Sequence, residues 1–298
     1  MAARLIINAD DFGLTRGVNR AIAELHQAHA LSSATLMANG AAFEDAVAVA
    51  QANPALGVGC HVVLTDGIPV SAPESIPTLL GPDGRSFRPS LVDFVQALVR
   101  GRIREEEIER EALAQVEKIQ RAGIVITHLD THKHSHLFAQ VCRPLLRVAE
   151  QRSIGAIRNP FEESWSLALG HGNRLRRFQV KLLGRLKRQF EGQPQIIGGQ
   201  VAYPDGTIGI SATGNLDAPT LRQILEALPA EGVFELCCHP GYNDSDLDRV
   251  TTRLRSHRDV ERLALLAEVP RLGLHRNLAR LIHYGELVPA GAAGFAND

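Results

Sequence analysis

The stretch Leu5-Ile-Ile-Asn-Ala-Asp-Asp-Phe-Gly13 runs as a β-type segment through Ala9 and then stops at two adjacent carboxylates, Asp10 and Asp11. Further short apolar runs follow at Ala34–Ala38, Val58–Leu64, Ile124–Leu129, Ala156–Arg158 and Val233–Cys238, with weaker ones near Ile208 and Leu281. Between them lie amphipathic stretches at Val18–His29, Phe43–Ala52, Ile103–Ala122, Gln140–Gln151, Leu175–Arg188, Thr220–Leu228 and Asp259–Leu266. Strands alternating with helices specify an α/β protein with a parallel sheet or barrel. The number of repeats predicts a distorted (β/α) TIM-like barrel formed as a single domain over residues 1–298. The Pro- and Gly-rich segment 65–90 lacks periodicity and is expected to be a loop beside the active site. Residues 160–200 form a variable region.

With 298 residues, 45% hydrophobic and 22% charged, the chain can build one substantial core. A formal charge of −1 argues against nucleic acid as a partner, since such proteins gather a basic excess. The basic stretch Arg174–Arg188 mixes its cations with Leu, Phe and Val at helical spacing, the pattern of an amphipathic surface helix. Cys60, Cys142, Cys237 and Cys238 show no CxxC spacing and are expected as reduced, buried thiols. No signal peptide and no transmembrane stretch is recognisable, so membrane insertion is not expected and a cytoplasmic location is. A homo-oligomer built through the outer helices is compatible with the composition.

Polar residues recur where the strands end, which is where barrel enzymes assemble their sites. Gly57-Val-Gly-Cys-His-Val-Val-Leu-Thr65 carries His61 within an apolar run, and Glu235-Leu-Cys-Cys-His-Pro-Gly241 ends in His239. Thr127-His-Leu-Asp-Thr-His-Lys-His-Ser-His136 packs four histidines and Asp130 into nine residues, against 12 histidines in the whole chain. Taken singly these signals are ambiguous. Asp-Asp-Phe-Gly also reads as a solvated turn, and a lone strand histidine as a hydrogen-bonded core residue. The histidine run is harder to dismiss, because in extended geometry His128, Asp130, His132, His134 and His136 would point to one side.

Two carboxylates at a buried strand end oppose each other's ionisation unless a cation intervenes. Imidazole and carboxylate ligands from separate strands could hold a divalent ion and leave positions open for water and substrate. A neighbouring free carboxylate could then accept a proton from the attacking water, and a separate histidine could protonate a departing amine.

The motifs Ala9-Asp-Asp-Phe-Gly-Leu-Thr15, Gly57–Thr65, Thr127–His136 and Cys238-His-Pro-Gly-Tyr242 resemble, in order, those of the YdjC-like (ChbG/HpnK) carbohydrate deacetylases. The resemblance spans most of residues 4–285 and implies a distorted (β/α) barrel that removes acetyl groups from N-acetylated sugars with one divalent metal ion, Mg²⁺ or Zn²⁺. It further implies Asp11, His61 and His132 as metal ligands, Asp10 as general base and His239 as general acid. Arg158 matches a basic position that neutralises or orients Asp10. Asp130, His134 and His136 are expected to orient the ligands or line the sugar site. Competing readings on the same barrel are a metal-dependent phosphoesterase, a sugar isomerase, or a non-catalytic metal-containing sugar-binding protein.

Overall fold

β1 (Ala3–Phe12) has nine of its ten residues buried, as befits a strand covered on both faces of a parallel sheet. In the computed structural model, which describes residues 3–170, 174–272 and 279–287, six more strands join it. They are β2 (Ser33–Leu36), β3 (Gly57–Val62), β4 (Ile126–Thr131), β5 (Gly206–Ile208), β6 (Val233–Cys238) and β7 (Ala279–Leu281). All pairings are parallel, in the order β4-β3-β2-β1-β6-β5, with β7 alongside the start of β1.

The two edges meet through residues 155–163. Leu129 N–H donates to the Ala156 carbonyl, Ile157 N–H to Ala202, and Thr207 N–H to Phe161, so single bridges replace a continuous ladder. The result is the expected distorted barrel, a curled parallel sheet closed by an irregular seam. The strand expected at Ala156–Arg158 is therefore a bridging segment rather than a strand.

The helices are α1 (Arg16–Gln27), α2 (Phe43–Ala52), α3 (Leu91–Val99), α4 (Glu105–Arg121), α5 (Ala139–Gln151), α6 (Ser164–Ala168), α7 (Arg174–Leu183), α8 (Lys187–Glu191), α9 (Pro194–Ile197), α10 (Ala218–Glu226) and α11 (Ser256–Leu272). α1 starts where the Thr15 hydroxyl accepts from Val18 N–H at 3.2 Å, and it buries Val18, Ala21, Ile22 and Leu25. α4 places Glu105, Glu106 and Glu107 in its first turn and Lys118 and Arg121 in its last, complementing the helix dipole at both ends. The loop after β3 is tied to α4 by Glu107, which accepts from Thr78, and by Glu111, which accepts from Val70 and Ser71 N–H.

Two further expectations about local structure fail. The extended run from His128 to His136 ends at Thr131: residues His132–Leu137 form a 3-10 turn in which Lys133 and His134 take φ of 59° and 53°. The polar residues therefore fan out instead of alternating along one face. The helix expected at Leu175–Arg188 is broken by a 3-10 turn at Gly184–Leu186, where glycine weakens helical continuity. α3 had no counterpart among the expected helices. All four cysteines are free and buried.

Candidate active site at the strand ends

β1 carries one more residue than β2 between the pairs Ala9↔Ala34 and Phe12↔Leu36, and Asp11 absorbs it with a φ of 64°. Such a bulge cancels the alternation that would send neighbouring side chains to opposite faces. Both carboxylates consequently turn toward His61. A second bulge lies between β3 and β4, after which His61 pairs directly with Asp130. The pairing puts His61 Nδ1 2.7 Å from an Asp130 oxygen. With Nδ1 bonded to the carboxylate, Nε2 of the neutral ring is left as an acceptor.

His61 Nε2 lies 3.3 Å from His132 Nδ1 and 3.7 Å from Asp11 Oδ1, and His132 Nδ1 lies 3.3 Å from the same oxygen. Asp11, His61 and His132 thus form a candidate metal-binding cluster. Among the described residues no hydrogen bond satisfies the buried Asp11 Oδ1. Three vertices of a tetrahedron around an ion with bonds of ~2.1 Å are about 3.4 Å apart, which these separations match. Burial opposes protonation of His61, yet Asp130, Asp10 and Asp11 outweigh it and raise the imidazole to about 9. The surroundings favour positive charge there, and the donor set fits a divalent cation. The ring of His132 is part-exposed, so the cluster opens to solvent on one side.

Asp10 sits in a different environment. Arg158 donates Nη1 to Oδ2 at 2.9 Å and Nη2 to Oδ1 at 2.6 Å, while Asn8 and Thr35 donate to Oδ1 at 3.1 and 3.3 Å. Burial alone would raise this carboxyl, but Arg158 and His61 hold it far below the usual carboxylate range. Arg158, with no exposed surface, also ion-pairs with Asp130 and donates to Glu235, whose Oε2 accepts from Tyr284 at 2.6 Å. Three carboxylates around one guanidinium make it the electrostatic hub of the barrel interior.

His239 follows β6 where Cys238 pairs with Ala9, and its Nε2 is 3.8 Å from Asp10 Oδ2. Burial pushes its imidazole down to about 4 against the pull of Asp10 and Asp11. Of the remaining expected residues, Asp130 and His136 are fully buried. His136 bonds the Thr131 hydroxyl and the Arg158 carbonyl. His134 is part-exposed and stands with Asp10 and Cys237. His128 lies inside the barrel, stacked on Tyr284 at 3.7 Å between ring centroids.

Residues absent from the sequence expectations complete the site. Arg258 of α11 donates Nη2 to Asp11 Oδ2 at 2.6 Å, and three residues on, Glu261 accepts the His239 backbone N–H at 2.6 Å. Glu235, a carboxylate within an otherwise apolar strand, was an available signal; Arg258 and Glu261 sit among other charges and gave none.

A parallel barrel with a carboxylate–histidine cluster at its strand ends defines an α/β-barrel protein with a candidate metal centre. The chain belongs to the YdjC-like protein family, whose model matches residues 4–279. It is 31% identical to a carbohydrate deacetylase of Brevibacillus brevis, over 95% of this chain and 99% of that one. It is 29% identical to a carbohydrate deacetylase of Thermoanaerobacter pseudethanolicus, over 88% and 90% of the two chains. In fold it is similar to a crystal structure from Enterococcus faecalis V583, provisionally described as a cellobiose-phosphate cleavage protein, with a TM-score of 0.76 and 23% identity over 97% of this chain and all of that one.

Proposed function

We propose that this protein is a divalent-metal-dependent carbohydrate deacetylase that hydrolyses the N-acetyl group of an N-acetylglucosamine-containing sugar to the amine and acetate. The observation that carries this reading is the convergence of Asp11 Oδ1, His61 Nε2 and His132 Nδ1 beside a separately held, ionised Asp10. The names of the relatives support deacetylation of a carbohydrate.

Asp11, His61 and His132 would hold the ion, and two imidazoles with one carboxylate suit Zn²⁺ better than the oxygen-preferring Mg²⁺. When bound, such an ion supplies Lewis acidity to the acetamide carbonyl and to the attacking water. Asp130 fixes the His61 ring so that Nε2 faces the centre. Asp10 accepts a proton from the water, with Arg158 keeping it charged and aimed. His239 is neutral at physiological pH, so it protonates the leaving amine with a proton it first receives across the 3.8 Å gap from Asp10.

The test is acetate release from N-acetylglucosamine and short chito-oligosaccharides by metal-stripped protein, reloaded with Zn²⁺ or Mg²⁺. Release that depends on the added ion is expected. Undiminished release by metal-free Asp11→Asn protein would overturn the mechanism, and phosphate release or sugar isomerisation without acetate would overturn the substrate class.

A further inference from the structure

α7 is an unusual helix for a folded domain because none of its residues is buried. Its inward side, at Arg176, Arg177, Val180 and Leu183, is only half-covered. The opposite side presents Leu175, Phe178 and Leu182 at 63%, 64% and 45% exposure. Arg174, Lys181 and Arg185 are exposed beside them. Between residues 174 and 188 there are seven Arg and Lys and no acidic residue, in a chain whose formal charge is −1. Among the described residues, no ion pair engages Arg174, Lys181 or Arg185.

A groove of about 610 Å³ runs between this helix and α6. Its lining combines apolar Leu167, Ala168 and Phe178 with Arg174, Arg177 and Lys181, and includes no carboxylate. We propose that α7 is a docking surface for an anionic lipid bilayer, with Leu175, Phe178 and Leu182 entering the headgroup–acyl boundary and the flanking cations meeting lipid phosphates.

The combination of charge and apolar area selects this occupant. A helix with large apolar residues on one face and cations flanking them lies in the plane of a membrane interface, without spanning it. No described helix is long and apolar enough to cross a membrane, so the contact is peripheral. A second copy docking by the same face would oppose cation to cation. Nucleic acid would leave the Leu and Phe side chains without an apolar partner.

The position adds a consequence for the site. Arg176 Nε donates to the Ile210 carbonyl at 2.9 Å, just beyond the C-terminal end of β5. The helix is thereby attached to the rim on which the strand-end cluster opens. Docking would hold the helix at the bilayer surface with that rim behind it.

The inference stands without the deacetylase reading, because binding is measured in the absence of substrate. The full chain is mixed with vesicles of phosphatidylcholine alone, or with roughly one-third phosphatidylglycerol, and separated by flotation at low and high salt. Co-flotation with the anionic vesicles at low salt is expected, with loss on phosphatidylcholine alone. Replacing Arg174, Lys181 and Arg185 with Gln should weaken binding on the order of 100-fold, at several-fold per cation. The double variant Phe178→Ser/Leu182→Ser should lose co-flotation with the anionic vesicles at low salt, and both variants should hydrolyse a soluble acetylated sugar at the parent rate. Failure of the parent protein to float with anionic vesicles would overturn the proposal, as would undiminished flotation of both variants. A self-association lost in Phe178→Ser/Leu182→Ser, without any vesicle binding, would assign the face to a second copy instead.

Discussion

Asp10 and Asp11 are chemically identical neighbours in different surroundings. Arg158 grips both oxygens of Asp10, whereas Asp11 gives one oxygen to Arg258 and, among the described residues, finds no hydrogen bond for the other. Asp11→Asn is accordingly expected to lose tightly bound metal, measured as metal content after gel filtration. Asp10→Asn should keep the metal and lose about 10²–10⁴-fold in turnover. Arg258→Ala should loosen the ion by roughly 10–100-fold with the fold intact, and Arg258→Lys should recover part of that loss; unchanged metal affinity in both would disprove the positioning role. Asp10, Asp11, His61, His132 and His239 were legible in the sequence because each is a polar residue in or just after an apolar strand. Arg258 and Glu261 were not, because nothing in a charged amphipathic stretch says which of its charges turn inward. Glu235 was visible as a carboxylate in an apolar run, but its partner Arg158 lies 77 positions away in sequence.

Elements place these side chains through irregularities rather than through ideal geometry. The strand alternation expected for residues 128–136 broke where two consecutive left-handed residues turn the chain, and those φ values depend on tertiary contacts that periodicity does not encode. The two bulges were likewise invisible, since an extra residue in a ladder is defined only by its partner strand. One close approach is testable. A Cβ on Gly59 of β3 would lie 2.4 Å from the His128 ring, which is itself stacked on Tyr284. Gly59→Ala should lower stability by ~1–3 kcal/mol in urea denaturation, because a packed ring cannot retreat as a flexible chain end would. α11 contributes a pH effect. Burial raises Glu261 from 4.5 to about 7, against hydrogen bonds from the His239 and Gly214 backbones. The folded chain therefore holds this proton more tightly than the unfolded one; that stabilisation is complete below pH 4.5 and fades as pH rises through 7. Between pH 5 and 8 the melting temperature of the parent should fall relative to that of Glu261→Gln; an identical profile in the variant would remove Glu261 as a contributor.

For the whole molecule, the strand–helix alternation was enough to read the barrel, whereas its seam was not readable. Residues 155–163 carry strand-like composition yet make only isolated bridges. An ion held by Asp11, His61 and His132 would tie β1, β3 and the turn after β4 together, so it should stabilise the fold globally. At a hundredfold excess over its dissociation constant the gain is about 2.7 kcal/mol. Adding Zn²⁺ should raise the melting temperature of the parent protein and leave that of Asp11→Asn unmoved. The sheet order has a different consequence, for the birth of the chain. Of the strands in this sheet the central one, β1, is made before the rest, and Arg4 waits for Val233 and Ala3 for Ala279 before either has its partner. The β2–β3–β4 ladder can assemble early, but β1 then stays half-paired until β6 and β7 have been made. Its Leu5-Ile-Ile-Asn-Ala9 edge is meanwhile an adhesive surface. Chains cut before residue 233 should therefore be recovered as aggregates or in complex with chaperones, and synthesis of β6 and β7, rather than any local helix, sets when this barrel can close.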